Sequence, residues 1–434
     1  MISIPAILAI ACGNVFRRLL APARHSARTF VLVSSKEGVC LRCVTDKIIV
    51  EALHPEPGDD LQAVLPLELL TSIDGRRSDG LTLALKGTKI EARWTSGGVP
   101  QTRLISHEPP KPQDLPAWPK MHESNSAELL VALDNASQVV AKDNVKFATD
   151  RLALCGSTGN VIGTDGRQLL VLGKFEFPWK GQKLVPAAGI FGLKEFADFS
   201  KVRVADAESH VMLKAETWTF MLPVHDGRYP DFQSVIPKTN GEETIWRVSP
   251  SIKSALVAAI DKLPGGKSDY RPVTLDLGKT IALRAVCEDS SVPTELVVPG
   301  FVKAKPVRLA TDRRYLVRAL ELGFDTFVFG DADRPVVCRK ENRTFVWVPL
   351  HSKTAAIPPH PQAVRIDLAG SLSRPSKATT VAKATPKTNP SYSRPQAPLP
   401  TPAAPQKSWR DLLPAWDRVK TLIRNRLHRH PEWN

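Results

Sequence analysis

Nowhere in this 434-residue sequence do apolar residues run on for the eighteen or so positions that a membrane-spanning helix needs. Cysteine is scarce too: six are scattered at positions 12, 40, 43, 155, 287 and 338, which makes no metal-binding pattern. Cys40 and Cys43 do form one C-x-x-C, but it lies in Gly-Val-Cys-Leu-Arg-Cys-Val, which reads as a strand with its two thiols on opposite faces. No second pair follows at zinc-ribbon spacing, so reduced thiols are expected and a metal role is not. The signatures of catalysis are missing as well. There is no phosphate loop, G-x-S-x-G or H-E-x-x-H, and no carboxylate cluster of the kind a polymerase or nuclease carries. The stretch Gly-Lys-Ser-Asp-Tyr-Arg-Pro at 266–272 lacks the upstream glycine of a phosphate loop. No enzymatic activity, catalytic residue, metal or cofactor is expected. The N-terminus has no basic residue before its short apolar run, and Arg17 and Arg18 follow it, so an amphipathic first helix is expected there rather than a secretion signal.

Charge and proline are what the sequence has in excess. Lys plus Arg number 59 against 44 Asp plus Glu, a net +15. From Thr354 onward there are 13 basic and 4 acidic residues, so the tail carries +9 and the body +6. A polyanionic partner is compatible with this balance.

One order of elements is written three times. Each copy opens on an apolar-periodic helix, at 4–20, 126–142 and 249–263. In the second, Leu129, Leu130, Leu133, Ala136 and Val140 share one helical face. Strands follow, then a second helix at 63–73, 184–199 and 307–322, and then paired strands at 81–94, 202–224 and 326–350. The expected fold class is α+β, with three tandem units at 1–118, 119–238 and 239–353, each packing two helices on antiparallel sheets. The joints show in composition. Residues 107–123 hold five prolines and cannot make a central strand or helix. Residues 226–237, Asp-Gly-Arg-Tyr-Pro-Asp-Phe-Gln-Ser-Val-Ile-Pro, lead into the turn-rich 236–243. Two prolines, two rings and an apolar pair, with no catalytic group among them, read as a staple between units.

Four motifs have a match in a known family. They are Thr164-Asp165-Gly166-Arg167-Gln168-Leu169, the 226–237 connector, the Tyr315-Leu316 helix within 314–321, and the closing Phe-Val-Trp-Val-Pro-Leu at 345–350. In this order they resemble the bacterial DNA polymerase III beta subunit, the sliding clamp. The resemblance runs from the first helix to about Ser352 and is weakest in the first unit. It implies a non-catalytic homodimeric ring, paired head to tail, that encircles double-stranded DNA without reading its sequence. It also implies a hydrophobic pocket between the second and third units for peptides of DNA polymerase III subunits, the clamp loader and repair proteins. The lining carried over would be Thr149, Thr164, Gly166, Arg167, Gln168, Leu169, Pro230, Val235, Val346, Val348, Pro349 and Leu350. The DNA-facing set would be Arg17, Arg18, Arg24 and Arg28, then Lys142, Lys146 and Phe147, then Lys253, Arg313, Arg314 and Arg318. The chain departs from the family at Gln168, where Arg is usual, at Thr149, where Leu is common, and at Trp347. A cytoplasmic, nucleoid-associated protein is the implied setting. The alternative is a clamp-like paralogue acting as a DNA-associated scaffold or regulator.

Residues 354–407, rich in Pro, Ala, Ser, Thr and Lys, read as a disordered linker. Residues 408–430 read as a basic amphipathic helix, for a protein partner or intramolecular docking, a nucleic acid, or a membrane.

Overall fold

The structure is a computed structural model describing residues 1–22, 28–73, 80–111, 115–142, 147–265, 270–303, 305–351 and 356–369. The first unit runs β1 (Ile2–Ile4), α1 (Ala6–Leu19), β2 (Thr29–Ser35), β3 (Gly38–Val44), β4 (Ile49–His54), β5 (Leu61–Pro66), α2 (Glu68–Thr71), β6 (Leu81–Lys86), β7 (Lys89–Ser96) and β8 (Val99–Ser106). The second runs β9 (His122–Ser126), α3 (Glu128–Ser137), β10 (Arg151–Cys155), β11 (Asn160–Thr164), β12 (Gln168–Leu172), β13 (Gln182–Pro186), β14 (Lys201–Asp206), β15 (His210–Ala215) and β16 (Trp218–Pro223). The third runs β17 (Thr244–Arg247), α4 (Pro250–Lys262), β18 (Pro272–Leu277), β19 (Ile281–Ala285), β20 (Thr294–Val298), β21 (Phe301–Lys303), β22 (Val307–Asp312), α5 (Arg313–Glu321), β23 (Thr326–Phe329), β24 (Val336–Lys340) and β25 (Arg343–Trp347). One more strand, β26 (Val364–Asp367), lies beyond them.

Each unit splits its strands between two sheets in the same way. The first sheets have the orders β5-β2-β3-β4, β13-β10-β11-β12 and β22-β18-β19-β20, and the second sheets β1-β6-β7-β8, β9-β14-β15-β16 and β17-β23-β24-β25. Neighbouring units are joined by antiparallel pairing of the last strand of one sheet with the last strand of the next unit's. β4 pairs with β16 from Ile49↔Met221 to Ala52↔Trp218. β12 pairs with β25 from Gln168↔Trp347 to Leu172↔Arg343. The products are an eight-stranded and a nine-stranded sheet, each crossing a unit boundary.

Alternation along the strands sorts side chains to two faces. Leu170 and Leu172, with Phe345 and Trp347, join the main apolar core, which the helices cover and which continues through all three units. Leu169, Val171 and Val346 point the other way, into a smaller cluster. Helix α3 packs so closely on β11 that a Cβ on Gly163 would lie 2.4 Å from the Ala136 carbonyl oxygen. In β3, Val39, Leu41 and Cys43 are buried while Cys40, Arg42 and Val44 are less so, which puts the two thiols on opposite faces. Burial pushes both up to about 12.

Several expected elements come out differently. The helix expected over 184–199 is instead strand β13 followed by a loop with one 3-10 turn at Lys194–Phe196. Pro186 ends the strand, Gly189 has φ 61°, and Gly192 sits where a Cβ would meet the Asp134 carboxylate. The helices expected over 63–73 and 307–322 likewise begin as strands β5 and β22, and only their later parts are helical. Residues 356–369, placed by composition in a disordered linker, are ordered: they contain β26 and the buried Leu368. Residues 370–434, including the expected terminal helix, lie outside the described residues.

Gly163→Ala is expected to lower the unfolding free energy by about 1–3 kcal/mol, because α3 backbone must shift to admit the methyl group. Urea titration followed by far-UV circular dichroism measures it.

Candidate functional site at the second joint

The seam between the second and third units is built around β12 and β25. Its outer face holds Ala148, Ala153, Ile162, Leu169, Val171, Leu184, Val337 and Val346, with Tyr229 buried among them and Phe232 and Ile236 packed alongside. The 226–237 connector therefore covers an apolar patch on the far side of the sheet from the helices. The Tyr229 hydroxyl donates to the Ile162 carbonyl at 3.4 Å. The first joint repeats the arrangement: Ile49, Ala205, Met212 and Met221 form a small outer cluster against which Leu115 and Trp118 of the other proline-rich connector pack. Rings and prolines in both connectors thus serve one purpose, holding a cover on the outer face of a joint.

The Thr-Asp-Gly turn between β11 and β12 satisfies its own polar groups. Thr164 Oγ1 donates to the Gln168 carbonyl at 2.7 Å and accepts from Gly166 N at 3.0 Å. Asp165 Oδ1 accepts from Arg167 N at 2.8 Å and Gln168 N at 2.9 Å. Gly166 has φ 83°, a left-handed conformation that a side chain would strain. Asp165 is a turn-former here rather than a metal ligand.

From this turn a polar link crosses to the third unit. Gln168 Nε2 donates to Asp165 Oδ2 at 2.9 Å, and its Oε1 accepts from Arg318 Nη1 at 2.6 Å. Arg167 bonds the Tyr270 hydroxyl and stands 4.9 Å from the centre of that ring. Burial lowers the Arg318 pKa, and the nearby Asp165 carboxylate opposes the shift. Tyr315 is pushed up by burial first and then by Asp165 and Asp312. Past the end of β25, Val348 N donates to the Arg167 carbonyl at 2.9 Å and Leu350 N to the Ala310 carbonyl at 2.8 Å.

The expected pocket residues fall into two groups. Thr164, Gln168, Leu169 and Val346 are buried, and of these Leu169 and Val346 belong to the outer apolar cluster. Val235 and Val348 are 46% and 45% exposed, Gly166 is exposed, and Thr149, Arg167, Pro230, Pro349 and Leu350 are half-buried. Leu169 and Val346 meet in one cluster under the connector. Tyr270 and the Asp165–Gln168–Arg318 link were not foreseen. Spacing gave no signal for them, since Arg318 lies 150 residues from Gln168.

The expected DNA-facing set needs correction at two positions. Arg313 is only 2% exposed, and its guanidinium donates to the carbonyls of Ile260, Leu263, Pro264, Arg271 and Pro272. It closes the C-terminal end of α4, where helix carbonyls lack partners of their own. Arg318 is turned into the seam. Arg314 pairs with the fully buried Asp312 at 2.6 Å. Arg17, Arg18, Arg28 and Lys142 are exposed, while Phe147 and Lys253 are half-buried. Burial lowers the Lys253 pKa, and the neighbouring Lys340 adds to the shift. Arg24 and Lys146 lie outside the described residues. Helix α3, Glu-Leu-Leu-Val-Ala-Leu-Asp-Asn-Ala-Ser, carries no basic residue.

Three units, paired sheets crossing the unit boundaries and helices on one face define the fold of the DNA sliding clamps. Among solved structures, the chain is similar to the DNA polymerase sliding clamp of Bacillus subtilis, with a TM-score of 0.67 at 16% identity, covering 81% of this chain and 98% of that one. It is similar to the DNA polymerase III beta subunit of Thermotoga maritima, at 0.67 and 14%, covering 81% and 99%. The sliding clamp of Pseudomonas aeruginosa bound to griselimycin matches at 0.65 and 15%, again covering 81% and 99%. No protein-family model matches the sequence. No curated protein matches it either.

Arg318→Ala is expected to cost about 1–3 kcal/mol, because it leaves the side-chain oxygen Oε1 of the buried Gln168 without its donor. The exposed Arg17→Ala should stay within about 0.5 kcal/mol of the parent. Denaturant melts of both, with amide exchange followed at β12 and β25, check this.

Proposed function

We propose that the protein is a non-catalytic DNA clamp: two copies, joined head to tail, enclose a duplex and hold client proteins at it. The observation that carries this reading is the repeated joint. β4 joins β16 and β12 joins β25 in the same sense, and the equivalent strands that join no other unit are β20 in the third unit and β8 in the first. A second copy that pairs its β8 with β20, and offers its own β20 in return, closes a six-unit ring with no strand of this set unmatched. Such a ring works by topology. It cannot leave a closed duplex, so a tethered polymerase stays at high effective concentration. Contacts to phosphate alone permit sliding.

Client peptides are assigned to the seam of the second joint, where Leu169 and Val346 lie in the apolar cluster and Val235 and Val348 are exposed. Restricted backbone on both sides lowers the ordering cost of catching an extended segment. Peptides of DNA polymerase III subunits, a clamp loader and repair proteins are the proposed clients, and the bacterial cytoplasm, at the nucleoid, is the proposed setting. A second reading, a DNA-associated scaffold or regulator without replicative duty, is favoured by one observation: Arg313 and Arg318 serve the fold, and α3 has no cation to offer a duplex.

The clamp reading expects protein loaded on nicked circular DNA to survive gel filtration at high salt and to be lost once the circle is linearised. Equal loss from circle and line would support the scaffold. At the seam, Val348→Asp should weaken an apolar clamp-binding peptide at least about tenfold, about 1.4 kcal/mol, without moving the thermal midpoint. Fluorescence anisotropy reads the affinity.

A further inference from the structure

The edge of β20 is already occupied. β26 lies on it in parallel, with register partners Thr294↔Val364, Glu295↔Arg365, Leu296↔Ile366 and Val297↔Asp367. We infer that residues 356–369 are a cis cap on the sheet edge that ring closure uses, so that the free chain stays a single copy until β26 is released. The inference rests on the ring reading above and adds to it a control that the chain carries within itself.

The cap is held by specific contacts. On the face of the sheet away from the helices, charges alternate from strand to strand. Arg308 of β22 meets Asp276 of β18 at 3.0 Å, and Asp276 meets Arg284 of β19 at 2.6 Å. Arg284 meets Glu295 of β20 at 2.6 Å, and Glu295 meets Arg365 of β26 at 2.8 Å. Glu295 and Arg284 are 3% and 5% exposed. Arg365 therefore completes a five-member ladder by giving the second oxygen of a buried carboxylate its cation. Two backbone bonds anchor the segment ahead of and at β26: Ile357 N donates to Thr274 Oγ1 at 2.7 Å, and Val364 N to the Pro293 carbonyl at 3.0 Å. Leu368, at 4% exposure, joins the main core just past the strand.

The cap is also built to come off. It offers four register pairs in parallel pairing, the weaker geometry per residue. The joints inside the chain use antiparallel pairing over four and five pairs. β8 is eight residues long and carries Val99 and Leu104 58% exposed, so it can match or exceed what β26 gives. Both strands seek the backbone groups along one edge of β20 and cannot hold them together. An unpaired edge of this kind invites uncontrolled pairing, and a strand from the same chain is one way to block it.

The test compares the full chain with two variants at equal concentration: Arg365→Glu combined with Ile366→Pro, and replacement of 356–369 by a Gly/Ser segment of equal length. Sedimentation velocity gives mass, and hydrogen exchange gives protection of the β20 amides. The full chain is expected at its single-copy 47.6 kDa, with β20 protected. Both variants are expected to shift twofold in mass. A full chain already at two copies overturns the cap and leaves the clamp reading standing. Variants whose β20 amides exchange freely while the mass stays at one copy overturn the cap as the barrier and the ring together. Variants that stay at one copy with β20 protection unchanged show that β26 does not cover the edge, which also overturns the inference.

Discussion

A β-strand at the end of a sheet presents a row of backbone N–H and C=O groups that must find partners, and this requirement organises the whole molecule. Each unit satisfies most of its backbone internally, yet its sheets end on strands that need a neighbour. The chain meets that need twice by pairing across its own unit boundaries, β4 with β16 and β12 with β25. Because the connection is made of backbone bonds, it survives a level of sequence divergence that leaves only 14–16% identity to clamps of the same fold. Side chains then differentiate the joints. The first two carry an apolar cluster under a proline-rich connector, and the third sheet carries a ladder of alternating charge.

That difference gives the third edge its character. An apolar outer face under a fixed connector makes a permanent joint, whereas a ladder that ends on an exposed arginine can exchange its last member. On the proposed ring reading, four-residue β26 sits where the joint between copies would form, and Arg365, with its side chain 71% exposed, is the part of the ladder nearest to water.

Much of this was legible in the sequence because it rests on local pattern. Helical spacing in Leu129, Leu130, Leu133 and Ala136 marked α3, while the seam was expected only through the resemblance carried by the motifs at 164–169, 226–237 and 345–350. The prolines and rings at 226–237 pointed to a connector held in place from both sides. What stayed hidden depends on contacts far apart in the chain. Arg313, Arg314 and Arg318 look alike as cations on one short helix. One closes α4 through backbone carbonyls, one pairs with a buried aspartate and one bolts the seam to Gln168. β26 was concealed for another reason: Val-Arg-Ile-Asp is a good strand only beside Glu295 and an open edge, and its flanks are poor in large apolar groups. The helix missing from 184–199 yielded to Pro186, Gly189 and the tight approach of Gly192 to Asp134, a tertiary constraint that apolar periodicity does not record.

The central claim is that strand pairing at unit boundaries builds the molecule and that the same pairing, between copies, closes it around DNA. Electron cryomicroscopy of the protein assembled on closed circular DNA addresses this directly. The account predicts a six-unit ring with the duplex passing through it, β8 of each copy paired antiparallel to β20 of the other, and β26 displaced from both edges. Single copies lying beside the duplex, or a ring in which β26 still covers β20, would contradict it.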